Sequence, residues 1–117
     1  MYCTKTTRKE ALWLISNIAA NSEQEAIAIS NSGLFVNLLM SCRDSSFDMR
    51  KEAVWAVSNV LHYLQEPATV ELIVQQDVMS IMLEMLQRDA ESGSVASLAL
   101  STINELLTKS ETARTAF

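Results

Sequence analysis

The spacing of apolar residues along the chain predicts helices throughout. Apolar side chains recur every three or four positions, which places them on one face of an α-helix rather than on alternate faces of a strand. Polar or glycine-containing stretches separate these segments. The pattern therefore predicts an all-α fold of three long and four short helices: residues 5–20, 23–32, 34–42, 47–64, a short helix beginning at Pro67, 78–88 and 95–109.

One stretch of the chain occurs twice. Residues 8–17, RKEALWLISN, return as residues 50–59, RKEAVWAVSN, with an offset of 42 residues. The differences are swaps between small or aliphatic residues, whereas every polar group and every ring is kept. A repeat of this period indicates helical units stacked side by side.

The apolar residues of the repeated long helices gather on one face. On a wheel of about 100° per residue they spread around the side opposite the tryptophan, and we expect them to form the core. The helix at 95–109 keeps the same apolar spacing a third time. The three predicted core sets are Ala11, Leu12, Ile15, Ile18 and Ala19, then Ala53, Val54, Val57, Val60 and Leu61, then Ala99, Leu100, Ile103, Leu106 and Leu107.

A second face of the first two long helices carries a narrow stripe of Glu, Trp and Asn. This face is a candidate partner-binding surface, because the tryptophans point away from the centre of the core face. In the third long helix Ser101 and Glu105 take the Trp and Asn positions, so the stripe ends before them. The alternative is that the tryptophans are core residues and the asparagines solvated surface. The stripe consists of Glu10, Trp13 and Asn17, then Glu52, Trp55 and Asn59.

Composition and charge narrow the class of protein. The 117 residues are 49% hydrophobic, with two Gly and one Pro, which suits a mostly helical chain. A net charge of −5 disfavours nucleic-acid binding, which usually requires a basic patch. No apolar run reaches the ~20 residues of a membrane span, and no signal-peptide pattern is present. Cys3 and Cys42 are predicted to be reduced thiols.

Motifs for catalysis are not found in the sequence. His62 is the single histidine, and its spacing suggests no acidic or cysteine partner, so we interpret it as a surface or packing residue. We expect no enzyme activity, no catalytic residue, no metal site and no cofactor. Other charged and sulfur-containing side chains are interpreted structurally: Arg8, Lys9, Arg50 and Lys51 as solvated convex residues, and Met79, Met82 and Met85 as packing residues.

Units of this length and core pattern resemble armadillo repeats, and the stripe is similar to the third helices of repeats in the importin-α (karyopherin-α) family. Lys-Glu-Ala before each Trp is most similar to the minor signal-binding site in the C-terminal half of that family. The resemblance implies a right-handed superhelical solenoid of three-helix units, truncated at both ends. Its parts would be a third helix at 5–20, full repeats at 23–64 and 67–109, and a tail at 110–117.

The resemblance also implies a function in nuclear import. The chain would bind Lys/Arg-rich nuclear localisation signals of cargo proteins in an extended conformation along the concave face. Neither nucleic acid nor a membrane is expected as a direct partner, whereas the full-length protein would bind importin-β and an export receptor in the cytoplasm and nucleus. The alternative is an armadillo scaffold for another protein, and exposed ends would favour self-association. The implied contact residues are Glu10, Trp13, Ser16, Asn17, Glu52, Trp55, Ser58 and Asn59.

Overall fold

The computed structural model describes residues 5–44 and 46–116, and all of the regular structure in them is helical. This confirms the all-α prediction, and each predicted helix bound lies within two residues of the observed one. Cys3, Ser45 and Phe117 lie outside the described residues. The helices are α1 (Lys5–Asn21), α2 (Glu23–Ser30), α3 (Gly33–Ser41), α4 (Phe47–His62), α5 (Pro67–Val74), α6 (Val78–Arg88), α7 (Gly93–Lys109) and α8 (Glu111–Ala116).

Serine caps set several of the helix starts. The Ser22 side chain accepts a hydrogen bond from the N–H of Glu25, which satisfies a donor that the first turn of α2 leaves without a partner. Ser92 does the same for α7 by accepting from the N–H of Val95. This cap lets α7 begin at Gly93, two residues before the predicted start.

The turn between α2 and α3 contains no residue in the left-handed conformation. Gly33 has no positive φ, and it is the first residue of α3 because Ser32 accepts a hydrogen bond from the N–H of Leu34. At the corresponding turn before α6, Asp77 adopts the left-handed conformation with φ 68°.

The long helices pack side by side with α4 in the middle. Helix α1 lies along α4, and α4 lies along α7. Among the short helices, α2 contacts α5 and α5 contacts α8, while α3 packs on α4 and α6 packs on α7. The tail beyond residue 109, in which the sequence shows little pattern, therefore forms a helix that extends the α2–α5 row.

The buried core is complete around α4 and partial around α1 and α7. All five predicted core residues of α4 are buried. In α1, however, Ala11 and Ile18 are exposed, and in α7 Leu100 is exposed, so these three predictions are wrong. The physical reason is position: α4 has a long helix on each side, whereas α1 and α7 each contact one long helix.

Two groups of side chains outside the repeated apolar positions also contribute to the core. Met79, Met82 and Met85 are buried, which confirms their interpretation as packing residues. Arg50 is buried too, so its interpretation as a solvated residue is wrong. Its guanidinium donates to both carboxylate oxygens of Asp89, from Nε at 3.0 Å and from Nη2 at 2.9 Å, which compensates the charge in the interior.

Candidate peptide-binding surface on α1 and α4

The two tryptophans lie on the surface. Trp13 is 61% exposed and Trp55 is 48% exposed, although both belong to helices with extensive buried faces. The alternative that they are core residues is therefore wrong. They occupy equivalent positions on α1 and α4, which pack side by side. Two large exposed indoles on adjacent helices are unusual for a surface that contacts only water, because such rings contribute most when they are buried against a partner.

The polar members of the stripe differ between the two helices. Glu10 and Asn17 of α1 are exposed, whereas Glu52 and Asn59 of α4 are half-buried. The difference follows the packing, because the equivalent face of α4 is partly covered by α1. The serines show the reverse order: Ser16 of α1 is buried and Ser58 of α4 is half-buried. The Glu, Trp and Asn side chains are therefore more exposed on α1 than on α4, but the serines are not.

A hydrogen bond joins the two halves of this surface. The Asn59 side-chain Nδ2 donates to the Ser16 hydroxyl oxygen at 2.5 Å. This contact holds the α4 amide against α1 and orients it, while the amide group still has a second N–H and a carbonyl oxygen. Sequence reasoning placed both residues at the surface but did not pair them. A helical wheel describes one helix at a time, so it gives no information on how α1 and α4 are rotated against each other.

The surface ends at α7 in a charged cluster. His62 Nδ1 lies 2.7 Å from Glu105 Oε1, and Lys109 Nζ lies 3.0 Å from Glu105 Oε2. Burial opposes ionisation of Glu105, but the hydrogen bonds from His62 and Lys109 lower its pKa below the ordinary value. His62 is exposed, as interpreted from the sequence. It also has an acidic partner that its spacing did not suggest, because packing of α4 on α7 brings together residues 43 positions apart.

In α7, Glu105 takes the position of Asn17 and Asn59. It is an ionised carboxylate with two basic neighbours. Ser101, at the tryptophan position, is exposed and presents no ring. The sequence predicted that the stripe ends at these two positions. A ligand that contacts the indoles and amides of α1 and α4 would find neither an indole nor an amide at the equivalent positions of α7.

Other chemistry in the described residues is limited. Burial raises the pKa of the Cys42 thiol to about 12, so this side chain is a poor nucleophile near neutral pH. Within residues 5–44 and 46–116, no group of three or more His, Cys, Asp or Glu side chains is arranged to hold a metal ion. No helix in that part of the chain is long and apolar enough to cross a membrane.

No protein-family model matches the chain, and no curated protein matches it.

Proposed function

We propose that this chain binds a Lys/Arg-rich peptide segment in an extended conformation across Trp13 and Trp55, as the resemblance to importin-α implies. The observation that carries the proposal is the exposure of two equivalent tryptophans on adjacent helices. The row of long helices, flanked by shorter ones, also supports an armadillo-type stack of three-helix units. Under this proposal the ligand is a nuclear localisation signal, and the protein acts in the cytoplasm and nucleus by binding rather than catalysis.

The expected spacing of the two indoles suits a basic side chain. Packed helices lie ~8–10 Å apart, so we expect a slot of about this width between Trp13 and Trp55. An extended peptide advances ~3.3 Å per residue, which matches about three residues per helix. The aliphatic stem of a Lys or Arg fits between the rings, with its cation over a ring face. Each such contact contributes on the order of 0.5–2 kcal/mol.

The asparagines supply contacts that do not depend on the peptide's side chains. A side-chain amide carries both donor and acceptor, so Asn17 and Asn59 can pair with a peptide's N–H and C=O groups. The bond from Asn59 to Ser16 supports this role, because it fixes the amide in one orientation before a ligand arrives. Glu10 and Glu52 add negative charge three residues before each tryptophan, where the basic head groups would lie.

One slot gives weak binding. We expect dissociation constants between tens of micromolar and about a millimolar, since only a few contacts of this strength combine. A longer protein with more such helices would also bind importin-β and an export receptor under this proposal. Nucleic acid and membranes are not among the proposed partners. The alternative function, an armadillo scaffold for a different protein, would use the same surface without a preference for basic residues.

The test is a titration with a short Lys-rich peptide, followed by tryptophan fluorescence and by NMR shifts of the indole and Asn59 side-chain N–H groups. We expect both indoles to respond. Trp13→Ala and Trp55→Ala should each weaken binding by about 2- to 30-fold, the equivalent of one lost cation–π contact. Leu83→Ala is the matched control, because Leu83 is 41% exposed but lies on α6.

Two outcomes would count against the proposal in different ways. Unchanged binding in both tryptophan variants would remove this surface as the site. A peptide in which norleucine replaces lysine keeps the stem and removes the charge. If it binds as well as the Lys-rich peptide, the indoles bind a partner but the basic-signal function is wrong, and the scaffold alternative is favoured.

A further inference from the structure

Helix α1 carries an apolar stripe on the side away from α4. Its members are Ala11, Leu14 and Ile18, at the i, i+3 and i+7 spacing of one helix face. All three are exposed, and Leu14 and Ile18 are 55% and 39% exposed. The equivalent residues of the other two long helices are at most 1% exposed. They are Ala53, Ala56 and Val60 in α4, and Ala99, Thr102 and Leu106 in α7.

Helix α7 has the opposite face partly uncovered. Leu100 is 55% exposed, and Ile103 and Leu107 are half-buried. Their equivalents in α4 are Val54, Val57 and Leu61, all of which are buried to within 1% exposure. In α1 the equivalents Leu12 and Ala19 are buried as well, and Ile15 is half-buried. The face that α7 leaves partly exposed is therefore the one that α1 uses against α4.

Hydrogen bonds fix which faces meet inside the molecule. Asn59 of α4 bonds to Ser16 of α1, so the Ala56–Val60 side of α4 faces α1. The His62 side chain of α4 contacts Glu105 of α7, which is the equivalent of Asn59, so the side of α4 that carries Ser58 and His62 faces α7. In both the α1–α4 and the α4–α7 contact, the earlier helix therefore uses the face equivalent to Leu100, Ile103 and Leu107. The later helix uses the face equivalent to Ala11, Leu14 and Ile18.

The geometry points to head-to-tail association, in which the stripe Ala11, Leu14 and Ile18 of one copy packs on Leu100, Ile103 and Leu107 of a second copy. The occupant is a second copy because the two uncovered faces are the sequence equivalents of faces that already pair twice within the chain. Such a contact is heterologous: each copy uses a different face and retains one uncovered face. It joins copies into open rows rather than a closed dimer, and it is independent of the peptide-binding proposal.

The test is sedimentation velocity over a wide range of chain concentrations. Wild type should show a mass that rises with concentration past twice the 13.0 kDa of one chain, because the contact does not close. Leu14→Glu and Leu100→Glu block one face each and start from the same exposure. Each should weaken association at least about tenfold, as expected for a central apolar contact.

A mixture of the two variants gives the sharper result. Leu14→Glu keeps an intact α7 face and Leu100→Glu keeps an intact α1 face. A 1:1 mixture should therefore form a dimer of one copy of each, and nothing larger. Leu83→Glu, on α6 and 41% exposed, should associate like wild type. Circular dichroism checks folding, and Ile18→Glu and Asn104→Arg test the same two faces if either first variant unfolds. Asn104 is exposed and lies one turn after Leu100 on α7.

Three results would overturn the inference. The first is a wild-type chain that stays monomeric at every concentration. The second is a variant mixture that stays monomeric. The third is loss of association in only one of the two variants, which would indicate a symmetric pairing of a single face. None of these results bears on peptide binding, because the indoles of Trp13 and Trp55 belong to neither face.

Discussion

Equivalent residues of the repeated stretch have different environments, and the arginines show this most clearly. Arg8 donates to Asp44 at 2.8 Å with a side chain 43% exposed. Arg50, at the equivalent position, pairs with Asp89 where the two side chains are only 10% and 6% exposed. The hydrogen bond to Asp89 raises the pKa of Arg50, so the group stays charged in the interior. Sequence identity between the two stretches therefore does not predict equal contributions to stability.

The two arginines should respond very differently to replacement. Arg50→Ala leaves the buried carboxylate of Asp89 without its partner, so we expect a loss of about 3–5 kcal/mol in the free energy of unfolding. Arg8→Ala breaks an exposed pair and should cost about 0–1 kcal/mol. Urea unfolding of both variants measures the difference. Equal losses would contradict the burial of the Arg50–Asp89 pair, and Arg50→Met with Asp89→Leu should recover much of the loss.

At the scale of the helix, the periodicity of the sequence predicted α1 to α7 but did not predict α8. It also missed the Ser92 cap, which starts α7 two residues before the predicted bound. The periodicity could predict helices because apolar spacing is a local property. Contacts between helices were missed for the same reason. Nothing local in the sequence pairs Asn59 with Ser16, or His62 with Glu105, because these bonds depend on how α4 is rotated against its neighbours.

Lys109 of α7 forms hydrogen bonds to the C-terminal end of α4. Its Nζ donates to the carbonyl oxygens of Leu61, His62 and Leu64 at 2.9, 3.1 and 2.9 Å. Carbonyls in the last turn of a helix have no partner within the helix, and a cation there also interacts favourably with the helix dipole. One side chain of α7 thus caps α4, which couples the stability of the two helices.

Removing this cap should weaken the end of α4 specifically. Lys109→Met keeps most of the aliphatic stem and removes the donors, so we expect a loss of about 1–2 kcal/mol in the free energy of unfolding. Amide hydrogen exchange should accelerate in the last turn of α4. Arg88→Met is the control, an exposed basic residue in the last turn of α6, and should change stability by less than about 0.5 kcal/mol. Unchanged exchange in Lys109→Met would contradict the capping role.

For the whole molecule, the position of a long helix in the row determines whether its repeated residues are buried or exposed. The sequence showed three equivalent apolar faces, and only α4 buries its face fully, because it alone of the three has long neighbours on both sides. One aliphatic difference between the two stretches follows this order. Leu14 in α1 is 55% exposed, whereas its equivalent Ala56 in α4 is fully buried. A small residue is required where a neighbouring helix lies close.

Two single substitutions, Ala56→Leu and Leu14→Ala, test whether the neighbouring helix requires a small residue at position 56. Ala56→Leu places three extra carbons in a filled interior, so we expect a loss of about 1–3 kcal/mol in the free energy of unfolding. Leu14→Ala removes the same three carbons from an exposed site and should change stability by less than about 0.5 kcal/mol. Both are measured by thermal and urea unfolding at low chain concentration, where association between copies contributes least. If Ala56→Leu proves as stable as wild type, α1 and α4 are not closely packed at this point, and the slot width assigned to the two indoles must be revised with it.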